Sequence, residues 1–157
     1  MKTTRLAVTL LFIVFHANLF CQATRPAILF VCEHGAARSV IASAYFNKLA
    51  KEKNLNYQAV FRGTSPDSSL SASTTMGLTK DGFNTKKWKP TSVTQSDLNA
   101  ATQVITFDCA LPNSIQLNKP VSKWDSIPAI SKDYNAARTK ILEKVKILIE
   151  ELANKKK

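Results

Sequence analysis

The sequence has no apolar run long enough to cross a bilayer, no nucleic-acid-binding motif, no internal repeat and few cysteines. The longest hydrophobic stretch, Leu6 to Phe20, is interrupted by His16 and Asn18 and falls short of the roughly 20 residues that a spanning helix needs. It follows Lys2 and Arg5, contains no acidic residue, and ends in the small-residue sequence Cys21-Gln22-Ala23. That order of charge, apolar segment and small residue predicts a secretory signal peptide over residues 1–23, cleaved after Ala23. A retained anchor and a lipoprotein acylated at Cys21 are the alternatives; the bulky Phe20 speaks against the second. Once the segment is removed, no stable membrane span is expected, and the protein is exported, either periplasmic or secreted.

The chain is also poor in acid: 22 Lys and Arg stand against 11 Asp and Glu, a net charge of +11. Loss of Lys2 and Arg5 leaves about +9, which favours anionic ligands. The cations are spread over Lys48, Lys51, Lys53, Lys86, Lys87, Lys89 and Lys155–Lys157 with no nucleic-acid motif among them, so they read as a solvated surface and nucleic acid is not expected as a partner. Beyond the signal only Cys32 and Cys109 remain. In an exported protein two cysteines read first as a disulfide.

What is present is one domain over residues 24–157 that alternates strands and helices. Ala27–Val31 is a continuous apolar run of the kind buried on both faces of a parallel sheet. It is followed by a loop and then a helix carrying Ile41, Ala44, Tyr45, Lys48 and Leu49 at helical spacing. Further strands are expected at Tyr57–Phe61, Gln103–Phe107 and 120–124. Further helices are expected at 71–82 (closing near Gly82), at 97–101, and from about Ser131, its expected cap, through Ile141, Val145, Leu148 and Leu152. This pattern predicts an α/β three-layer sandwich with a central four-stranded parallel sheet.

The informative segment is Val31-Cys32-Glu33-His34-Gly35-Ala36-Ala37-Arg38-Ser39. In open α/β sheets ligands bind beyond the carboxyl ends of strands, and the helix starting near Arg38 turns its positive end toward the loop. That geometry favours both a bound oxyanion and a thiolate at Cys32. Five residues between Cys32 and Arg38 allow the backbone to wrap three oxygens while the planar guanidinium grips two of them. Gly35, Ala36 and Ala37 keep bulk away from the ring of amides, and Ser39 is placed to hydrogen-bond the Cys32 sulfur. Glu33 and His34 stand at the rim, available to substrate.

Cys-x5-Arg-Ser after a buried strand resembles the low-molecular-weight protein tyrosine phosphatase family, including its arsenate reductase branch. The resemblance extends over residues 27–152. Gly63-Thr64-Ser65-Pro66 matches a Gly-Thr-x-Pro landmark, the exit of the third strand at residues 104–109 (VITFDC) and His34 resemble the reductase branch, and Trp124-Asp125 precedes Pro128 where the family carries its acid. It implies attack by Cys32 on phosphorus, a cysteinyl-phosphate hydrolysed by water, stabilisation of the oxygens by Arg38 and the loop amides, and no cofactor or metal. The implied ligands are a phosphorylated protein, phosphotyrosine among the candidates, or a small phosphomonoester, and oxyanions such as phosphate, sulfate or arsenate.

Four departures from the family pattern matter. Gly35 stands where the family usually has asparagine, so the loop is expected to be less preorganised, and Ala37 excludes a disulfide within the loop. Ile127 stands where the acid before Pro128 would be, leaving Asp125 as candidate general acid with Asp108 a weaker substitute. Cys109 is available as a redox partner for Cys32, but the second downstream cysteine of the reductase relay is absent. Three readings follow: an exported phosphatase, an arsenate reductase-like thiol enzyme, and a catalytically weak oxyanion-binding domain.

Overall fold

A computed structural model describes residues 25–155; the signal-peptide reading of residues 1–23 lies outside them. Eight elements follow in order: β1 (Ala27–Cys32), α1 (Arg38–Glu52), β2 (Gln58–Gly63), α2 (Ala72–Lys80), α3 (Gln95–Ala100), β3 (Ala101–Phe107), β4 (Val121–Lys123) and α4 (Tyr134–Asn154). The four strands form one parallel sheet in the order β2-β1-β3-β4, as the alternation of strands and helices predicts.

All six residues of β1 are buried, which explains its unbroken apolar character. Alternation along the strand divides them between two cores. Ile28, Phe30 and Cys32 join the larger core with α1, α2 and α4, whereas Leu29 and Val31 join a smaller one with Leu98, Val93 and Val104. Cys32 therefore ends the strand on the α1 side of the sheet. Phe30 is fully buried among Phe46, Phe107 and Trp124, with ring centroids 6.2, 6.1 and 5.5 Å away. Truncating such a residue to alanine costs about 3–5 kcal/mol.

Several boundaries differ from the sequence expectation, each for a local reason. β2 runs two residues further, because Gly63 bonds outward to the 91–93 segment through Gly63 N–H to Thr91 O and Val93 N–H to Gly63 O, both at 2.9 Å. α3 starts at Gln95 rather than 97, since Thr94 and Asp97 form a reciprocal capping box. α4 is capped by Asp133, whose carboxylate accepts from Ala136 N–H at 2.9 Å, and not by Ser131. α2 begins after Ser71, its cap, and ends at Lys80; Gly82 follows with φ +87°. Among the described residues no helix is long and apolar enough to cross a membrane.

One partly buried polar cluster ties three helices together. Asp81, after α2, accepts from Tyr45 Oη of α1 at 2.8 Å and from Tyr134 Oη and Arg138 Nη1 of α4 at 2.6 and 2.8 Å. Burial pushes the Tyr45 phenol up to about 12, reinforced by its hydrogen bond to Asp81, and pushes Tyr134 up further. Burial alone would raise the Asp81 carboxyl, but the two phenols and the Arg138 charge outweigh it and hold it below its ordinary value.

Candidate functional site

The site is built where β1 stops. Cys32 is 3% exposed, and its Sγ lies 3.1 Å from Ser39 Oγ, itself fully buried in the first turn of α1. A hydroxyl there can donate to a thiolate and hold its direction. α1 begins without a side-chain cap: Ala37 occupies the cap position at φ −141° and ψ −94° and makes no capping bond. The orphan N–H groups of that first turn are thus open to an anion at the helix's positive end.

The loop's carbonyls are fastened by a second segment, which begins at the Gly63-Thr64-Ser65-Pro66 landmark. Thr64 N–H bonds Cys32 O at 3.1 Å, Ser65 N–H bonds Glu33 O at 2.8 Å, Asp67 N–H bonds His34 O at 3.1 Å and Ser71 N–H bonds Ala36 O at 3.1 Å. In a trans peptide the carbonyl of one residue and the N–H of the next point in opposite directions. Tying the carbonyls of 32, 33, 34 and 36 outward therefore turns the N–H groups of Glu33, His34, Gly35 and Ala37 toward the loop interior. The 64–71 segment thus holds the loop from outside, through backbone bonds that do not need an asparagine at position 35.

Gly35 has φ +57°, and a Cβ on it would lie 2.8 Å from Gly63 N. The reverse also holds, since a Cβ on Gly63 would lie 2.8 Å from Gly35 N. The two glycines let the loop and its brace touch backbone to backbone, so glycine at 35 answers a steric demand as well as a left-handed one. The signal was present in the sequence as Gly63-Thr64-Ser65-Pro66, but its role as a brace requires the fold.

Arg38, in the first turn of α1, directs Nη1 onto Asp108 Oδ2, with both side chains partly exposed. Asp108 follows β3 at φ +43°, and is held there by Ser126 N–H on its Oδ1 at 3.2 Å and by its own N–H on Asp125 Oδ1 at 3.1 Å. Asp108 is thus the partner of the arginine, and Asp125 stands directly behind it. Ile127, before Pro128, is 6% exposed and packs in the main core, so that position contributes apolar burial. At the rim, exposed His34 lies 3.3 Å from Asp67 and 3.8 Å from Glu33.

Cys109 and Cys32 are both free thiols. The Cys109 Sγ lies 3.6 Å from Val31 O, and burial pushes its thiol up. Register pairs Cys32 with Phe107, which places Cys109 two residues past that pairing, alongside the loop. No group of three or more His, Cys, Asp or Glu side chains is gathered for a metal among the described residues.

A strand-end thiol, an uncapped helix, four inward amides and an arginine six residues on can be compared with known proteins. The profile of the low molecular weight phosphotyrosine protein phosphatases matches residues 27–124. The chain belongs to that family. Arsenate reductase from Archaeoglobus fulgidus is 28% identical over 78% of this chain and 98% of its own, with a TM-score of 0.64. YfkJ from Bacillus subtilis (18%, covering 87% and 99%, TM-score 0.73) and a low molecular weight protein tyrosine phosphatase from T. tengcongensis (19%, covering 80% and 99%, TM-score 0.62) share the fold. No curated protein sequence matches the chain.

Membership of the low molecular weight phosphatase family makes this a phosphatase-like or arsenate reductase-like enzyme whose ligands are oxyanions or phosphoesters. The family match ends at Trp124, one residue before Asp125. The 31–39 loop and its brace lie inside it, whereas the segment carrying the candidate acid lies outside.

Proposed function

We propose that this chain is an exported cysteine-dependent phosphatase that hydrolyses phosphomonoesters through a cysteinyl-phosphate. The observation that carries the reading is Cys32 Sγ at 3.1 Å from Ser39 Oγ, at the mouth of a loop whose amides face inward. The Cys32 thiolate attacks phosphorus while Arg38 and the N–H groups of residues 33, 34, 35 and 37 take up charge on the three non-bridging oxygens. The leaving oxygen takes a proton from Asp125. Asp108 has both oxygens engaged, by Arg38 and by Ser126 N–H, whereas Asp125 commits Oδ1 and keeps Oδ2 for transfer. Water then attacks the cysteinyl-phosphate, with Asp125 now accepting its proton, and phosphate leaves with Cys32 restored as thiolate. Phosphorylated proteins and small phosphomonoesters both fit this chemistry.

Lys2, Arg5, the apolar Leu6–Phe20 and the Ala23 ending support export. Mature protein from a native host should begin at Thr24, and an intact Met1 in protein purified from that host contradicts export.

The test of mechanism is hydrolysis of an aryl phosphate with a good leaving group. Cys32→Ser should abolish turnover while retaining phosphate binding; a Cys32→Ser protein that still turns over refutes nucleophilic catalysis. Cys109 beside the loop and the likeness to the Archaeoglobus reductase favour a second reading, arsenate reduction through a Cys32–Cys109 disulfide. Arsenate-dependent consumption of thiol reductant that disappears in Cys109→Ser, with phosphatase activity unaffected, identifies that reading.

A further inference from the structure

A second concavity, of about 450 Å³, opens between α1 and β2, and none of its lining residues belongs to the 31–39 loop. β2 is an edge strand, yet both ends of its free edge are occupied. Asn47 turns its carboxamide onto Ala59, accepting from the N–H at 2.7 Å and donating to the carbonyl at 3.0 Å. Gly63 is paired with the 91–93 segment. The cavity lies along the stretch between these two closures.

Its walls are aromatic. Phe61 and Phe83 stand 6.3 and 6.4 Å from Trp88, centroid to centroid, with Ala44 of α1 opposite them. Ser43 also borders the cavity; it is 3% exposed and its Oγ has no hydrogen-bond partner. A buried hydroxyl without a partner carries its full desolvation cost, which a ligand atom within reach would relieve. At the mouth, Lys48 and Lys51 are exposed and enter no ion pair among the described residues, with Lys48 Nζ 5.9 Å from the Phe83 ring. Arg62 at the same rim is already committed to Asp97.

Aromatic walls select a flat apolar body, and two uncompensated ammonium groups at the mouth select an anion. A volume of this order is typical of small-molecule sites. We propose that this cavity is a second ligand site, for a small aromatic anion whose ring packs against Phe61, Phe83 and Trp88. Its carboxylate or sulfonate meets Lys48 and Lys51, and a polar atom of the ligand satisfies Ser43 Oγ. The site is separate from the catalytic loop, since Ser43 stands about 7.5 Å along the α1 axis from Arg38 and the cavity extends away from there.

The test titrates the mature chain with 8-anilinonaphthalene-1-sulfonate, an aromatic anion, in saturating inorganic phosphate, and reads energy transfer from tryptophan. One site per chain is expected, undisturbed by phosphate, with transfer falling in Trp88→Phe to what the more distant Trp124 supplies. Lys48→Glu combined with Lys51→Glu should weaken binding at least tenfold at low salt, and Ala44→Leu should abolish it by filling the cavity. If Ala44→Leu fails to fold, the exposed double lysine variant decides alone. Displacement of the probe by phosphate, or affinity within twofold of the original after charge reversal, overturns the proposal.

Discussion

Gly63→Ala is the substitution that tests the brace most directly, because a single methyl group is aimed at the backbone of the catalytic loop. The new Cβ would lie 2.8 Å from Gly35 N, 2.9 Å from His34 C and 3.0 Å from Glu33 O. Ordinary carbon contacts sit near 3.5 Å, so loop and brace must separate by about 0.5–0.7 Å. None of the three atoms belongs to a flexible side chain that could step aside. Overpacking of this kind costs about 1–3 kcal/mol, which corresponds to a fall in Tm of about 3–10 °C for a domain of this size. The larger effect should be on catalysis, because misplacing reacting groups by about 1 Å can cost 10²-fold. The amides of Gly35 and its neighbours move with the loop, so kcat/KM for an aryl phosphate should fall by about 10- to 100-fold. Gly82→Ala is the control. It forces an alanine into positive φ, at +87°, a backbone strain that Gly63→Ala does not carry, but its Cβ would meet nothing within 4 Å, so it should lower Tm while leaving kcat/KM unchanged. If Gly63→Ala retains full kcat/KM, or loses no more than Gly82→Ala, the brace does not set the geometry of the loop.

Asp125→Asn should slow substrates with poor leaving groups by about 10²- to 10⁴-fold and activated aryl phosphates far less; equal slowing of both, read from kcat across a leaving-group series, removes Asp125 as the acid. Asp108→Asn keeps the shape of the side chain but weakens its hold on Arg38, so kcat/KM should drop by about tenfold with little change in Tm, and unchanged kinetics would show that the arginine is positioned without it. The phenol of Tyr45 is raised to about 12 in the folded protein, so its contribution to stability is complete below about pH 10 and is lost as pH rises through about 12. Thermal melts should therefore fall over that alkaline window, and Tyr45→Phe should flatten the fall. A melting curve of the original chain that does not decline there contradicts the assignment.

Most of the fold was legible because it rests on periodicities that burial imposes. β1 is apolar at every position because both faces are covered, and α4 repeats Ile141, Val145, Leu148 and Leu152 because one stripe faces the core. Boundaries set by single hydrogen bonds were less legible. Both Ser131 and Asp133 are competent caps, and only the packing of α4 decides which carboxylate or hydroxyl meets the helix N–H groups. The chemistry of the site was legible where it is local in sequence: Cys32, Ser39 and Arg38 lie within eight residues, and the strand-loop-helix unit brings them together unaided. What was hidden came from long range. The Gly35–Gly63 contact joins residues 28 apart, and the Arg38–Asp108 pair joins residues 70 apart; neither leaves a trace in local pattern.

Those two long-range contacts govern different parts of the same site. The brace fixes the amides by taking their opposing carbonyls, so that half of the oxyanion cradle is rigid before any ligand arrives. Arg38 is instead held from outside the loop by a carboxylate on the β3 exit, which is itself tethered to Asp125 and Ser126. A guanidinium has five N–H donors and can keep Asp108 on one edge while presenting others to an anion. Charge from the ligand and charge from Asp108 then meet on one cation, and Asp125 is linked to that cation through the backbone of Asp108. The connection runs from Arg38 through Asp108 to Asp125, so in the proposed mechanism the grip on the phosphoryl oxygens and the delivery of the proton depend together on the residues that follow β3 and β4. In the proposed mechanism Ile127 is free to be apolar and buried, because the proton would come from Asp125, just past the end of β4, and not from the position before Pro128.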